Sequence, residues 1–537
     1  MAKNNFLKGA AILGIAGLIV KVLGAFYRIP LSNMIGSEGM GYVQTAYPLY
    51  TLLVAISTSG FPSAIAKIIA EKRALHDFRG AHRVFRISFA GFLAAGIITS
   101  VFVFLSARSI VDAIGNSNAY YSLIAMTPAL FFVPIMSAFR GYFQGRQVMT
   151  PTAISQLIEQ LFRVAIGLLL AYQLVGIGLP EAAGGASFGA SAGAIAGTII
   201  IVIIYIKEKG KITEEIKNSR SNTKPETIGK IVKDILKIAI PITIGASILP
   251  IINTIDAALI MRRLQEIGFT ETQANALYGQ LTGNAQTLIN LPQVLSMGIA
   301  VSLVPAVSSA FARKDYEDIK ATTKSGVRVT LLIGLPCALG LFILATPIID
   351  LLYYNYSLAE KQSTGAILQI LAISLIFLTL IQSLTSILQG IGKIMIPVRN
   401  LAIGAGIKVI LTYILTGIPS INVKGAAIST VVTYLVAAIL NYIEVKKHTR
   451  VNFRFIDIAL KPIISTLIMT GVAWFTYRYT NALIGSKIST ILSIGTGGIA
   501  YVASLLLSGA LTTEDFELLP KGEKLARTLK DKGLLKS

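Results

Sequence analysis

Fourteen stretches of this 537-residue chain are apolar for long enough to cross a lipid bilayer, which leaves few folds open to it. A spanning helix needs about 20 predominantly apolar residues, because backbone groups left unsatisfied in hydrocarbon are costly and a helix satisfies its own. Between charged or turn-rich breaks the runs fall at roughly 6–30, 42–68, 87–107, 119–139, 152–176, 186–206, 238–261, 280–312, 329–352, 363–391, 396–417, 424–443, 460–480 and 488–510. Only 14% of the residues are charged, against about 25% in an ordinary soluble domain. The predicted fold is therefore all-α and integral to a membrane. The first run follows Lys3 and Lys8 as a signal sequence would, yet it continues past Lys21 to Arg28 without a small-residue cleavage site. It reads as a retained span.

The formal charge of +22 would suggest nucleic acid in a soluble protein; here it reports topology. With the N-terminus inside, 37 of the 48 Lys and Arg fall on the cytoplasmic side, 7 on the other and 4 within spans. That asymmetry is the positive-inside pattern and predicts both termini in the cytoplasm, in the cell membrane.

The second half echoes the first. Gly60-Phe61-Pro62-Ser63-Ala64 returns as Leu303-Val304-Pro305-Ala306-Val307, the prolines 243 apart. Gln144-Gly145 with Pro151 returns as Gln389-Gly390 with Pro397, and Arg163 lands on Lys408, both at an offset of 245. Several landmarks at one period mark an internal repeat. Each repeat holds six helices, an even number, so both enter the membrane in the same sense. The expected organisation is a first lobe with its linker at 1–225, a second lobe at 226–447 and a two-helix extension with a basic tail at 448–537, with a cavity between the lobes. The linker centres on Ser-Asn-Thr-Lys-Pro at 221–225.

Charge inside a bilayer costs about 2.5–3.5 kcal/mol per residue on insertion scales and so needs a reason. Six residues qualify: Lys21 and Arg28 in the first run, Glu159 and Arg163 in the fifth, Asp256 in the seventh and Lys408 in the eleventh. Lys21 and Arg28, seven apart, share a helix face, and Pro30 is expected to bend or end the helix just beyond them. Glu159 and Arg163 are spaced i,i+4 in the favourable order, as a neutralised clamp or as part of a site. Asp256 can partner either base or serve as a coupling-ion site. The six sum to +2, which favours an anion in any cavity they line. Arg140 and Arg146 sit at the cytoplasmic mouth between the fourth and fifth runs, as ordinary anchors or as phosphate forks. Gly184, Gly185, Gly189, Gly193 and Gly197 stripe the sixth run, a pattern for close helix contact.

No phosphate-binding loop and no nucleophile–base or metal-ligand constellation is present in the sequence; with one Cys and three His, no cofactor and no enzymatic activity are expected. Transport is the remaining reading. The opening Phe6-Leu7-Lys8-Gly9 through Lys21-Val22-Leu23-Gly24 to Tyr27-Arg28-Ile29-Pro30 resembles the polysaccharide-exporter branch of the MOP superfamily. So do Arg140-Gly141-Tyr142-Phe143-Gln144-Gly145, Gln156-Leu157-Ile158-Glu159-Gln160 and Asn290-Leu291-Pro292 through Ser302-Leu303-Val304-Pro305. The resemblance covers the whole chain and is to flippases of the MurJ type and their stage V sporulation protein B relatives.

It implies alternating access to a cationic cavity and outward movement of an undecaprenyl-pyrophosphate-linked cell-wall precursor such as lipid II. It also implies a groove for the lipid tail at the two extra helices. The family's first-helix bases carry onto Lys21 and Arg28. Where better-known members have an acid after the second base this chain has Ile29, and where they have an arginine in the eighth helix it has Asn284, Ala285, Gln286 and Thr287. Arg163 and Lys408 are the candidates for the missing charge. The partners implied are the glycan precursor, the bilayer and cell-wall synthesis proteins, with no nucleic acid. Two rival readings are a MATE-type drug or cation antiporter, which would want an acidic cavity, and a non-transporting scaffold for cell-wall assembly.

Overall fold

The computed structural model describes residues 2–219, 226–451 and 456–509. The linker core at 221–225 and the basic tail after Lys521 lie outside the described residues. Sixteen α-helices follow one another: α1 Ala2–Thr58, α2 Gly60–Ala74, α3 Phe78–Ile114, α4 Tyr120–Gly145, α5 Thr150–Leu174, α6 Leu179–Lys217, α7 Ile228–Glu266 and α8 Glu271–Tyr278, then α9 Gln286–Ala312, α10 Tyr316–Ile343, α11 Ala345–Leu352, α12 Leu358–Gly390, α13 Met395–Thr416, α14 Lys424–Thr449, α15 Lys461–Ile484 and α16 Ser486–Ser508. A π-helical turn at Gly279–Ala285 joins α8 to α9. Among the described residues there is no strand.

Thirteen helical stretches are long and apolar enough to cross a membrane by length and composition. The first, Ile12–Ala74, runs for 63 residues, and a straight helix of that length would be about 95 Å, three times the hydrocarbon thickness. It holds two of the fourteen apolar runs and is broken between them at Gly36 (φ 69°, ψ −178°). The bend expected at Pro30 is therefore a correction: α1 passes through Pro30 and turns six residues later. Proline forfeits one hydrogen bond, which a long helix tolerates; the Gly36 conformation is open essentially to glycine alone.

Packing divides the chain into two compact units, Met1–Gly279 and Gln280–Ser537. In the first, α4 and α5 both lie along α6, α3 lies along α4, and α7 packs on α1, α2 and α3. The seventh long helix thus opens the second repeat in sequence and packs with the first unit. In the second unit α12 packs on α9, α10 and α14, α13 lies along α14, and α15 pairs with α16.

The repeated Gln-Gly phrase makes the same kind of contact in each unit. A Cβ on Gly145 would fall 2.8 Å from Ala66 O and 2.7 Å from Ile69 Cβ; one on Gly390 would fall 3.1 Å from Val304 O and 2.8 Å from Val307 Cβ. Each glycine closes α4 or α12 onto the proline-bearing helix of its own unit.

Proline inside α4 is repaired by neighbours. Pro128 cannot donate to the Ile124 carbonyl, and the Thr127 hydroxyl does so instead at 2.7 Å. One residue on, Ser191 of α6 inserts into the ladder: it donates to Ala125 O at 2.6 Å and accepts from Ala129 N at 3.2 Å. In the second unit the two extra helices are anchored by Tyr501, whose hydroxyl donates to Leu332 O at 2.7 Å, and near Asp350 of α11. Lys361 bonds Asp350 at 2.9 Å and Ser486 at the start of α16 adds a hydrogen bond. These donors, Lys361 first, hold the Asp350 carboxyl below its usual range against the opposing effect of burial.

Two outcomes follow from this architecture. Gly36→Ala is expected to cost about 1–3 kcal/mol, although a Cβ there meets no atom within 4 Å. A thermal melt in detergent measures it, and an unchanged Tm would mean that the bend is not held by the backbone. A depressed carboxylate stabilises above its unfolded pKa of about 4 and loses that contribution as pH falls through its folded value. Asp350→Asn should therefore lower Tm slightly at pH 7, by under about 1 kcal/mol for a partly exposed pair, and flatten the fall in Tm below about pH 4.

Candidate functional site

The first unit gathers most of the intramembrane charge into one connected series. It begins at Arg28 on the first arm of α1, whose guanidinium lies over the Tyr47 ring at 5.5 Å. Tyr47 and Tyr50, one turn apart on the second arm, have ring centroids 6.0 Å apart. The Tyr50 hydroxyl accepts from Arg163 at 3.1 Å, and the Arg163 guanidinium also stands 5.9 Å from the Tyr50 ring. Arg163 then reaches Glu159 at 3.4 Å, and the other oxygen of Glu159 is held by Arg140 at 3.0 Å. Arg140 is fixed in turn by donation to Ser155 Oγ at 2.8 Å.

Helix packing explains why these side chains face the same way. Gly189, Gly193 and Gly197 present a bare stripe of α6 to α5, so close that a Cβ on Gly189 would sit 2.4 Å from Arg163 O and one on Gly193 2.4 Å from Glu159 O. The Glu159 and Arg163 side chains start at this contact, their Cβ atoms 3.1 and 3.2 Å from where Cβ atoms on Gly197 and Gly193 would be, and the bare stripe leaves them room to reach Arg140 of α4 and Tyr50 of α1. Tyr27 threads the same region, its hydroxyl donating to Ala186 O at 3.2 Å, and Gly167 leaves it room: a Cβ there would meet that oxygen at 2.7 Å.

One carboxylate shared by two guanidiniums leaves a positive remainder. Formally Arg140 and Arg163 against Glu159 sum to +1. Burial is only partial: the side chains of Arg163 and Glu159 are 21% and 17% exposed. Aromatic faces hold guanidinium planes by their quadrupoles without neutralising them. The arrangement suits an anion with paired oxygens.

The other expected site residues fall as follows. Lys21 is exposed on the first arm of α1, two turns from Arg28 on a shared face. Asp256 is buried in α7, with 6% exposure. Lys408 is half-buried on α13 in the second unit. Arg140 is not a free charge at the mouth, since it is drawn onto Glu159, a partner 19 residues away on the next helix. Arg146 is likewise bound, to Glu215 at 3.0 Å, and Glu215 also accepts from Arg73 at 2.6 Å. That trio ties the basic end of α6 to α2 and α4. At the position where the resemblance implies an eighth-helix arginine, the π-helical turn holds Asn284, fully buried and donating to Tyr356 OH at 2.8 Å. Tyr27, Tyr47 and Tyr50 were not singled out by sequence. Their signal was there, three phenols inside spans that hold few other polar groups, and each takes a guanidinium or a carbonyl as its polar partner.

The thirteen long apolar helices among the described residues and the way they pack define a polytopic integral membrane protein. The chain belongs to the polysaccharide biosynthesis protein family, whose model matches residues 6–311; the MatE model matches 282–414. It is similar to three proteins of Bacillus subtilis (strain 168). Uncharacterized membrane protein YabM is 28% identical over 97% of this chain and 96% of its own length. Lipid II flippase MurJ is 26% identical over 93% and 94%, and stage V sporulation protein B 27% identical over 86% and 87%. Among solved structures, lipid II flippase MurJ in an inward closed conformation superposes with a TM-score of 0.69 at 17% identity, covering 93% of this chain and 98% of that one. An inward-facing MATE family multidrug transporter superposes with a TM-score of 0.68 at 16% identity over 81% and 94%.

Glu159→Gln should leave Arg140 and Arg163 facing each other across a neutral amide. The expected cost is about 2–4 kcal/mol, below the full buried-pair value because the group is only partly buried. Adding Arg140→Gln should recover part of it in a double-mutant cycle. Strict additivity of the two substitutions in Tm would show that the shared carboxylate is not the link.

Proposed function

We propose that this chain moves a polyprenyl-diphosphate-linked cell-wall precursor, lipid II or a close relative, from the cytoplasmic to the outer leaflet. The observation that carries the reading is the series Arg28–Tyr47–Tyr50–Arg163, which ends on Glu159, a carboxylate that serves two guanidiniums. A diphosphate offers the paired oxygens such forks bind, and replaces no carboxylate in doing so. Lys21 lies two turns along the same face of α1, within the span and nearer than Arg28 to the N-terminal end that the positive-inside pattern assigns to the cytoplasm. Lys408, the repeat mate of Arg163, is the basic residue at the matching position of the second repeat. Asp256 is left for coupling.

The mechanism follows from charge and from what lipid excludes. The head group leaves the inner leaflet for the wet, positive surface while its polyprenyl tail stays in hydrocarbon, so only the polar end is dehydrated and passed across. Rocking of the two repeats exposes it outside. An inside-negative potential contributes about 2.3 kcal/mol per charge per 100 mV and drives both the outward passage of the anion and the inward return of the empty positive site. A drug antiporter of the MATE kind would need an acid for its cationic cargo; Glu159 is committed to two guanidiniums, which leaves that reading to Asp256.

Purified chain in liposomes should translocate a fluorescent undecaprenyl-linked precursor, faster with the inside negative. Arg163→Gln and Arg28→Gln should each slow it about 10- to 100-fold, the worth of a charge-assisted hydrogen bond, with a lysine recovering part. Wild-type liposomes that transport a cationic dye and not the precursor would replace this reading with the antiporter. Variants as active as wild type would move the anion site elsewhere.

A further inference from the structure

The two guanidiniums on Glu159 are not held alike. Arg140 reaches Glu159 Oε2 from α4 at 3.0 Å, donates through Nε to Ser155 Oγ at 2.8 Å, and has only 11% of its side chain exposed. Ser155 is fixed in turn, fully buried and donating to Thr152 O at 2.9 Å. Arg163 stands 3.4 Å from the other oxygen, Oε1, longer than a usual N–H···O bond, and is 21% exposed. Its Nε is buried and makes no hydrogen bond among the described residues. It also donates to the Tyr50 hydroxyl at 3.1 Å, a bond in which Tyr50 accepts and does not spend its own proton. Spacing on α5 favours Glu159–Arg163, four residues apart on one helix. The geometry gives the carboxylate chiefly to Arg140.

We propose that Arg140 is a positioning residue of the anion site: it keeps Glu159 paired while Arg163 exchanges that carboxylate for an oxygen of the substrate diphosphate. The proposal deepens the flippase reading above and rests on it. An anion that took Arg163 from a carboxylate without a second partner would leave a partly buried negative charge unpaired beside itself, and much of the gain would be lost. With Arg140 in place Glu159 keeps its 3.0 Å bond throughout, and the exchange gives up only the longer 3.4 Å contact. Tyr50 then donates its proton to a second oxygen of the same group, next to the Arg163 donor. Arg140 acts through Glu159 and does not touch the anion. Its planar fork suits the task, because Nε holds Ser155 while Nη2 holds Glu159, two bonds that a single lysine ammonium does not fix in one plane.

Binding of farnesyl diphosphate to the full chain in detergent reads the exchange. Arg140→Gln should weaken it about 10- to 100-fold, the worth of a charged hydrogen bond. In a Glu159→Gln background no carboxylate competes for Arg163, and the same substitution should change binding less than about threefold. A general loss of positive field would act equally in both backgrounds, so equal effects overturn the proposal. Ser155→Ala leaves every charge in place and serves if Glu159→Gln does not fold: loosening Arg140 should weaken binding about threefold, and an unchanged affinity would count against the exchange as decisively. Without ligand, double-mutant cycles in Tm should couple Glu159 more strongly to Arg140 than to Arg163, and the reverse order overturns the proposal whatever binds. If wild type binds no farnesyl diphosphate, the flippase reading fails and the exchange with it. Wild-type binding with strictly additive Arg140 and Glu159 effects removes the exchange alone.

Discussion

Glu159 is the hinge of the first unit's electrostatics. Inside a bilayer an isolated guanidinium is expensive, and this protein brings two to one carboxylate, Arg140 from α4 and Arg163 from the same helix. The shared acid makes both tolerable without cancelling them. Tyrosine rings then extend the series to Arg28 on α1 through quadrupole attraction, which steadies a cation and leaves its charge in place. The cluster remains formally positive after the shared carboxylate is counted.

That arrangement depends on backbone contacts that carry no charge. The glycine stripe of α6 lets α5 approach until carbonyl oxygens fill the space of absent side chains, and so fixes the direction in which Glu159 and Arg163 point. Gly36 sets where the first helix turns, which in turn sets Tyr47 and Tyr50 opposite Arg28. Ser191 mends the ladder that Pro128 opens in α4. Small residues and hydroxyls thus position the large polar ones.

The spans were legible in sequence because hydrocarbon thickness imposes a length that composition cannot disguise; Gly145 and Gly390, matched by the repeated phrase, each make a close helix contact in their own unit. The Glu159–Arg163 spacing could be read as a pair because both lie on one helix. Arg140 could not, since its partner is on a neighbouring helix and a basic residue at a span's end reads as an anchor. Pro30 drew attention from Gly36 because proline announces a bend by chemistry, whereas a glycine does so only once its φ is known. The tyrosines were hidden by context: an aromatic within an apolar run reads as core until a guanidinium is found over its ring. Likewise, only packing places α7 with the first unit.

The central claim is that the positive remainder binds a diphosphate. Titration of the detergent-solubilised protein with farnesyl diphosphate, farnesol and tetraphenylphosphonium measures this directly. The account predicts saturable, salt-sensitive binding of the diphosphate alone, weakened about 10- to 100-fold by Arg163→Gln. Binding of the cation in preference to the diphosphate, or diphosphate binding indifferent to Arg163 and Arg28, would contradict it.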